Sequence, residues 1–336
     1  MREQLRRALY VVVVSIFGVS LILTACGGRS TVTGGNRVTV AVVPATIFAP
    51  LYVARAKGYF EAEGITVDLQ KVKTGQDAVG PAASGKVDVV VAGFSAGMFS
   101  AIASGLDLKV VGSMGIAPGD ATASPSALEA STRLRDVVTT PADLRGRKVA
   151  IAGGPGSAGG FHLATMLQSS GLSLNDVQIV NLGIPDMQAA LASGSVDAAL
   201  VAAPFTTRME NEDVANPLAV PPKGSSASGV IYSGAFAHRS ASQRFFNALV
   251  RASRDLQDDG AQSEEVLQIL AEATGQDIAV LRATPPYSWL PDLAPLLDQL
   301  DRQQQVYRSA GLMHIDTPLS PEALVDFSFA REAARR

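Results

Sequence analysis

The 336 residues are enough for two domains with cores of their own. Charged residues make up 18% and the formal net charge is −3, so nothing in the composition suits a polyanion such as nucleic acid. One cysteine and three scattered histidines, with no close-spaced cluster of His, Cys, Asp and Glu, leave no ligand set for a metal and no disulfide framework.

The first distinct segment is N-terminal. Arg2, Arg6 and Arg7 precede an uncharged run from Ala8 to Ala25, the plan of an export signal. A permanent membrane anchor needs about 20 apolar residues, so length alone does not separate the two readings. Leu23-Thr24-Ala25-Cys26 does, because it resembles the lipobox of bacterial lipoproteins, in which the cysteine is acylated and becomes the new N-terminus. We therefore expect residues 1–25 to be removed, Cys26 to carry a lipid, and the Gly/Ser/Thr-rich residues 26–36 to act as a flexible tether. The mature protein is then extracytoplasmic and held at the outer face of a membrane.

Beyond the tether, Val38 to Val43 is a β-branched run that predicts a buried strand. Pro44 to Pro50 breaks it, and a helix is expected from Leu51 to Glu63, stopped by Gly64. Strand Ile65–Val72, helix Gln76–Ala83, strand Val87–Ala92, helix Phe94–Ser104 and strand Leu108–Met114 follow. A Gly/Pro/Ser/Ala-rich break covers 115–127, and Thr140-Pro141-Ala142-Asp143 predicts a one-turn helix capped by Thr140. A second breaker-rich segment covers 216–228. It precedes a strand at Gly229–Ser233 and a largely helical tail from 242 to 334, whose apolar stripes (Phe245, Phe246, Leu249, Leu256) read as core.

Two parts of this pattern are copies. Ala83-Ser84-Gly85-Lys86-Val87-Asp88 and Ala192-Ser193-Gly194-Ser195-Val196-Asp197 share one plan, and the offset of Gly85 to Gly194 and of Asp88 to Asp197 is 109 residues in both cases. The preceding strands match as well, Arg37–Val42 with Arg147–Ala152. A repeated strand–helix unit predicts an α/β protein with two lobes, each on a mostly parallel sheet. Breaker-rich segments on both sides of the second copy predict that the chain leaves lobe I (37–116), builds lobe II (117–224) and returns (225–336). Two crossovers make a hinge, and the strands' carboxyl ends face the cleft between the lobes. Asp88 and Asp197, each entering a strand, read as structural.

Pro50-Leu51-Tyr52-Val53-Ala54-Arg55-Ala56-Lys57-Gly58-Tyr59-Phe60-Glu61-Ala62-Glu63-Gly64 resembles a signature of the sulfonate/taurine/nitrate and thiamine-precursor (NMT1/THI5-like, SsuA/TauA) solute-binding proteins of ABC transporters. Asp143 to Ala150 with Gly156-Ser157, and Ala190 to Ala198, extend the resemblance over most of residues 38–250. It implies a periplasmic-binding-protein type II fold, a monomer, a small-molecule solute, and delivery to an ABC permease with its ATPase. It implies no cofactor and no catalysis.

Three motifs bear on chemistry. Gly93-Phe94-Ser95-Ala96-Gly97 fits the G-x-S-x-G elbow of serine hydrolases. However, His162, His238 and His314 lie in no supporting motif, and too few strands precede Ser95. We therefore read Ser95, with Ala96, as a helix start facing a ligand. Gly154-Pro155-Gly156-Ser157-Ala158-Gly159 fits G-x-G-x-x-G, but Val180-Asn181-Leu182 lacks the carboxylate a dinucleotide site needs. Free N–H groups at Gly156, Ser157 and Ala158 would still favour an anionic or polar group. Asp186 either meets a solute or caps its helix.

Phe48, Phe94, Thr74, Pro204 and Phe205 complete the expected lining. The expected cleft loops (44–50, 74–77, 93–97, 154–159, 185–187, 203–206) hold no Lys or Arg and two Asp, Asp77 and Asp186. This argues against an anion held by a salt bridge. A sulfonate held by N–H groups and hydroxyls, and a neutral or weakly basic ring, both fit. Trp289 reads as core.

Overall fold

The computed structural model describes residues 36–122 and 124–335. The expected signal segment, Cys26 and all of the tether except Asn36 lie outside the described residues.

Strand β1 (Arg37–Val42) leads through a loop into helix α1 (Ala49–Ala56). The single helix expected over 51–63 is two, because Gly58 adopts φ 69° and starts a separate short helix, α2 (Tyr59–Ala62). That dihedral costs glycine nothing and would strain most other residues. Next come β2 (Thr66–Lys71), α3 (Gln76–Ala83), β3 (Val89–Gly93), α4 (Ala96–Ala103) and β4 (Leu108–Ser113).

After a crossover the chain forms β5 (Ser126–Ser131), whose six residues are all buried. Its Ser-Ala-Leu-Glu-Ala-Ser sequence has no β-branched residue. It is a strand because it pairs on both sides, and the sequence pattern did not predict it. The capped turn at Pro141–Leu144 forms as expected, with Thr140 and Asp143 in a capping box. Then follow β6 (Lys148–Ile151), α5 (Ala158–Gln168), β7 (Gln178–Asn181), α6 (Ile184–Ser193), β8 (Ala198–Ala202), α7 (Phe205–Asn211) and β9 (Ala215–Ala219). Strand β9 overlaps the start of the expected break. It accommodates Pro217 because it is an edge strand, with a partner on one side only.

The return crossover leads to β10 (Ser228–Ser233) and the helical tail: α8 (Gly234–Ala237), α9 (Ser240–Asp255), α10 (Glu264–Thr274), α11 (Ile278–Ala283), α12 (Leu297–Ser309), α13 (Pro321–Leu324) and α14 (Ser328–Ala333).

These strands make two five-stranded sheets, β2-β1-β3-β10-β4 in lobe I and β7-β6-β8-β5-β9 in lobe II. In each, four strands run one way and one is reversed, β10 in the first and β5 in the second. The reversed strand is the one that has just crossed over, so each lobe is completed by chain arriving from the other. The repeat extends to atoms. Val40 pairs with Val89 and Val149 with Ala198, again 109 residues apart. The Thr39 N–H donates to Asp88 Oδ2 and the Lys148 N–H to Asp197 Oδ2, both at 2.9 Å. The two aspartates are therefore strand-edge anchors, as read.

The crossovers, 114–125 and 220–227, lie side by side: Ala117 N–H donates to Ser225 O (2.9 Å) and Gly224 N–H to Ala117 O (3.0 Å). Two paired segments thus join the lobes, as expected of the hinge; neither forms a regular ladder, because Pro118 in one and Pro221-Pro222 in the other withdraw the donors it needs. The tail braces them, with Ser288 and Ile116 exchanging backbone bonds and Tyr287 donating its hydroxyl proton to Pro125 O.

Candidate functional site

The carboxyl ends of β1, β3, β6 and β8 and both crossovers enclose a cavity of about 190 Å³. Lobe I contributes Val43, Ile47, Phe48 and Ser228, lobe II contributes Ile151, Ile184, Leu200 and Val201, and the crossovers contribute Ala117, Ser225 and Ala227. The indole N–H of the buried Trp289 donates to Ile47 O at 2.9 Å, so this core residue fixes the wall loop that bears Ile47 and Phe48. Among the described residues no Asp, Glu, Lys or Arg lines the cavity.

Its two titratable side chains are both held neutral. Burial pushes the His162 imidazole down to about 4 and the Tyr287 phenol up to about 12. His162 Nδ1 lies 3.2 Å from Ser225 Oγ. A cavity of about 150 Å³ with apolar walls accepts benzene, so this one accommodates a single ring with a small substituent.

A second compartment, about 250 Å³, continues from the first through Val43, Gly93, Ala152, Ala158, Gly159 and Ile184. It is bordered by polar side chains: Lys73, Thr74, Gln76, Ser95 and Ser157. Here the starts of α4 and α5 meet across the cleft, and Ala96 N–H donates to Gly156 O at 2.9 Å. Glycine permits the approach: a Cβ on Gly93 would lie 2.7 Å from Ala158 Cβ, and one on Gly156 would lie 3.3 Å from Ala96 Cβ.

Both helix-start serines are occupied. Ser95 Oγ donates to Gln76 Oε1 (2.8 Å) and accepts from Met98 N–H (3.1 Å). Ser157 Oγ accepts from Gly160 N–H and has Gly154 O (2.7 Å) and Ala152 O (2.9 Å) for its proton. Ser95 is thus an N-cap. Among the described residues its partners include no histidine, and the hydrolase reading loses its base.

The expected lining residues separate into two groups. Phe48 borders the first compartment; Thr74, Ser95, Ala96, Gly156 and Ser157 border the second; Ala158 borders both. Phe94, Asp186, Pro204 and Phe205 border neither. Phe94 turns into the core beneath α12, beside Leu300 and against Gly229, where a Cβ would lie 2.5 Å from its Cζ. Asp186 is the exposed third residue of α6. It complements the helix dipole there but does not cap the helix, whose N-cap Gly183 receives no side-chain bond. Pro204 sits at the N-cap of α7, and Phe205 packs against the outer core of lobe II with Met187 and Met209.

Among the lining residues that escaped the sequence reading are Lys73, His162, Ser225 and Tyr287. Lys73 lies one position before an expected loop, so the cleft does have a cation at its rim. His162 had a weak signal, standing four residues after Ala158 and therefore on the same helix face. Ser225 and Tyr287 had none, since only the tertiary fold brings them to the site.

No curated protein matches the sequence. Among solved structures, the chain is similar to the alkanesulfonate-binding protein SsuA from Xanthomonas axonopodis pv. citri bound to MOPS. That match has TM-score 0.65 and 22% identity and covers 86% of this chain and 98% of the other. It is also similar to the periplasmic nitrate-binding protein NrtA from Synechocystis PCC 6803, with TM-score 0.74 and 13% identity over 90% of this chain and 89% of the other. The desulfurization enzyme DszB aligns with TM-score 0.63 and 17% identity over 89% and 99%. These likenesses establish the two-lobed periplasmic-binding-protein fold. A family model described as NMT1/THI5 like matches residues 45–223, just over half of the sequence, and the chain belongs to that family.

Proposed function

We propose that the protein is the extracytoplasmic solute-binding component of an ABC importer. It captures a small organic solute between its lobes by hinge closure and presents the closed form to a permease and its ATPase. The observation that carries this is the cavity, whose walls come from both lobes and from both crossovers. A solute touching both lobes favours the closed form through contacts that the open form lacks. The same fold serves DszB, an enzyme, so the fold by itself does not decide between binding and catalysis; the family and the two-sided wall support binding. In this reading the chain is a monomer tethered by a lipid on Cys26, with residues 37–116 and 225–336 as one domain and 117–224 as the other.

Two solute classes have support. A sulfonate- or taurine-like solute is favoured by the SsuA likeness and by Lys73 and the two helix starts at the second compartment. A neutral or aromatic solute, a thiamine-precursor pyrimidine among them, is favoured by the uncharged walls of the first.

A thermal-shift panel of sulfonates, nitrate, pyrimidines and aromatic compounds tests the proposal, because a bound solute raises the melting temperature. Gly156→Asp puts bulk and negative charge where α5 meets Ala96. It should abolish the shift while leaving the fold intact, and an unchanged shift would count against closure at this point.

A further inference from the structure

We propose that the solute is an uncharged compound with an apolar body of one ring, and that His162 selects it by hydrogen-bonding its polar substituent. This rests on the solute-binding reading and narrows it to one class.

The walls set the class. An ion moved into the first compartment would leave water and find no opposite charge there, since among the described residues no ionised side chain lines it. His162, held neutral, supplies none at ordinary pH. Size sets what the first compartment holds, for about 190 Å³ takes one ring and little more.

The walls also carry unmet hydrogen-bonding capacity. Ser225 takes Nδ1 of His162, so the ring nitrogen left for a solute is Nε2. Ser228, 3% exposed and on the same wall, has an Oγ with no partner among the described groups. A buried hydroxyl without a partner calls for one. A flat heterocycle with polar atoms around its rim would leave most of them facing Val43, Ile47, Ile151 and Leu200, unpaired. One hydroxyl or carbonyl on a hydrocarbon ring would not. His162 belongs to α5 of lobe II and Ser225 to the return crossover, so their bond ties the solute-reading ring to the hinge.

The test uses the full-length chain and three probes: benzyl alcohol, its parent toluene, and benzenesulfonate. The sole tryptophan, Trp289, hydrogen-bonded to the wall at Ile47, provides a fluorescence readout, and calorimetry provides the affinities. The alcohol should bind about three- to tenfold tighter than toluene, the equivalent of one neutral hydrogen bond, and benzenesulfonate more weakly than either. His162→Phe should bring alcohol and toluene to equal affinity. His162→Gln, which keeps a polar group, should retain part of the preference. In the unmodified protein the preference should hold from pH 8 to pH 6, because burial keeps the imidazole neutral there.

Tightest binding by benzenesulfonate would overturn the class and leave the solute-binding reading standing. An undiminished preference in His162→Phe would remove His162 as the selector. A panel in which neither these probes nor sulfonates, nitrate or pyrimidines bind would overturn both.

Discussion

The two sheets share strand order, register and anchoring aspartates, yet their outer faces differ. Lobe I is backed by α1, α9, α10 and α14 over an aromatic core. Phe60 and Phe245 stack at 4.9 Å, and the Tyr232 ring meets Phe236 and Phe329 edge-on at 4.8 and 5.0 Å. Lobe II is backed by α6 and α7 over a small aliphatic cluster of Met187, Leu191, Val196 and Met209. On β5 it also buries a carboxylic acid, Glu129, with no hydrogen-bond partner for either oxygen among the described groups. The difference comes from the tail, whose helices α9, α10 and α14 pack on the outer face of lobe I. A duplicated scaffold has become one well-supported lobe and one lean lobe.

The contrast is broken most directly in the cores. Phe245→Ala should cost about 3–5 kcal/mol in denaturant unfolding, while Met187→Ala should fall near 2 kcal/mol, where a smaller cluster can relax. Equal losses would mean that the outer layers contribute alike.

Glu129 sharpens the comparison through pH. Burial first, then the neighbouring Glu210 carboxylate, push its pKa up from the ordinary 4.5 to about 9. An acid whose pKa is raised on folding binds more protons in the folded state between those limits. Its stabilising contribution is therefore complete below about 4.5 and is lost as pH rises toward 9. Glu129→Gln, neutral and of the same shape, should stabilise the protein by on the order of 2–4 kcal/mol at pH 8. The gain should shrink to nothing near pH 4.5. Melting temperatures that match at pH 8 would show that Glu129 finds a partner.

How much of this was legible depends on whether the determinant is local. The repeat could be read because Gly85-Lys86-Val87-Asp88 and Gly194-Ser195-Val196-Asp197 each encode a helix stop and a strand entry in four residues. The glycine-rich helix starts that meet across the cleft were legible for the same reason. Strand β5 was not, since Ala and Glu are poor strand formers and only its neighbours β8 and β9 hold it extended. Phe94, the residue after β3, and Phe205, three residues after β8, were misplaced because the turn that leaves a strand decides which way a side chain points. Phe94 N–H donates to Ala227 O, and that bond turns its ring into the core and away from the cavity. The uncharged wall was half legible: the loops lacked cations as read, but Lys73 sits one residue outside them at the neighbouring compartment.

The smallest expected effect concerns how the well-supported lobe holds the lean one. Tyr307, fully buried on α12, has its hydroxyl 2.8 Å from Ser157 O in lobe II and 3.4 Å from Phe94 O in lobe I. Its ring sits beside Phe99 of α4. A phenol has one proton to donate, and the shorter contact receives it, so this bond links the tail to the start of α5. Ser157 O also accepts from Phe161 N–H, so Tyr307→Phe leaves that carbonyl with a partner. The loss is then one neutral hydrogen bond, about 0.5–1.5 kcal/mol. If α12 moves with lobe I, that loss falls on the closed form alone. Solute affinity should drop about three- to tenfold, while the unfolding free energy changes by less than about 1 kcal/mol. If instead affinity stays put and only global stability falls, α12 travels with lobe II, and the tail supports both lobes rather than favouring one.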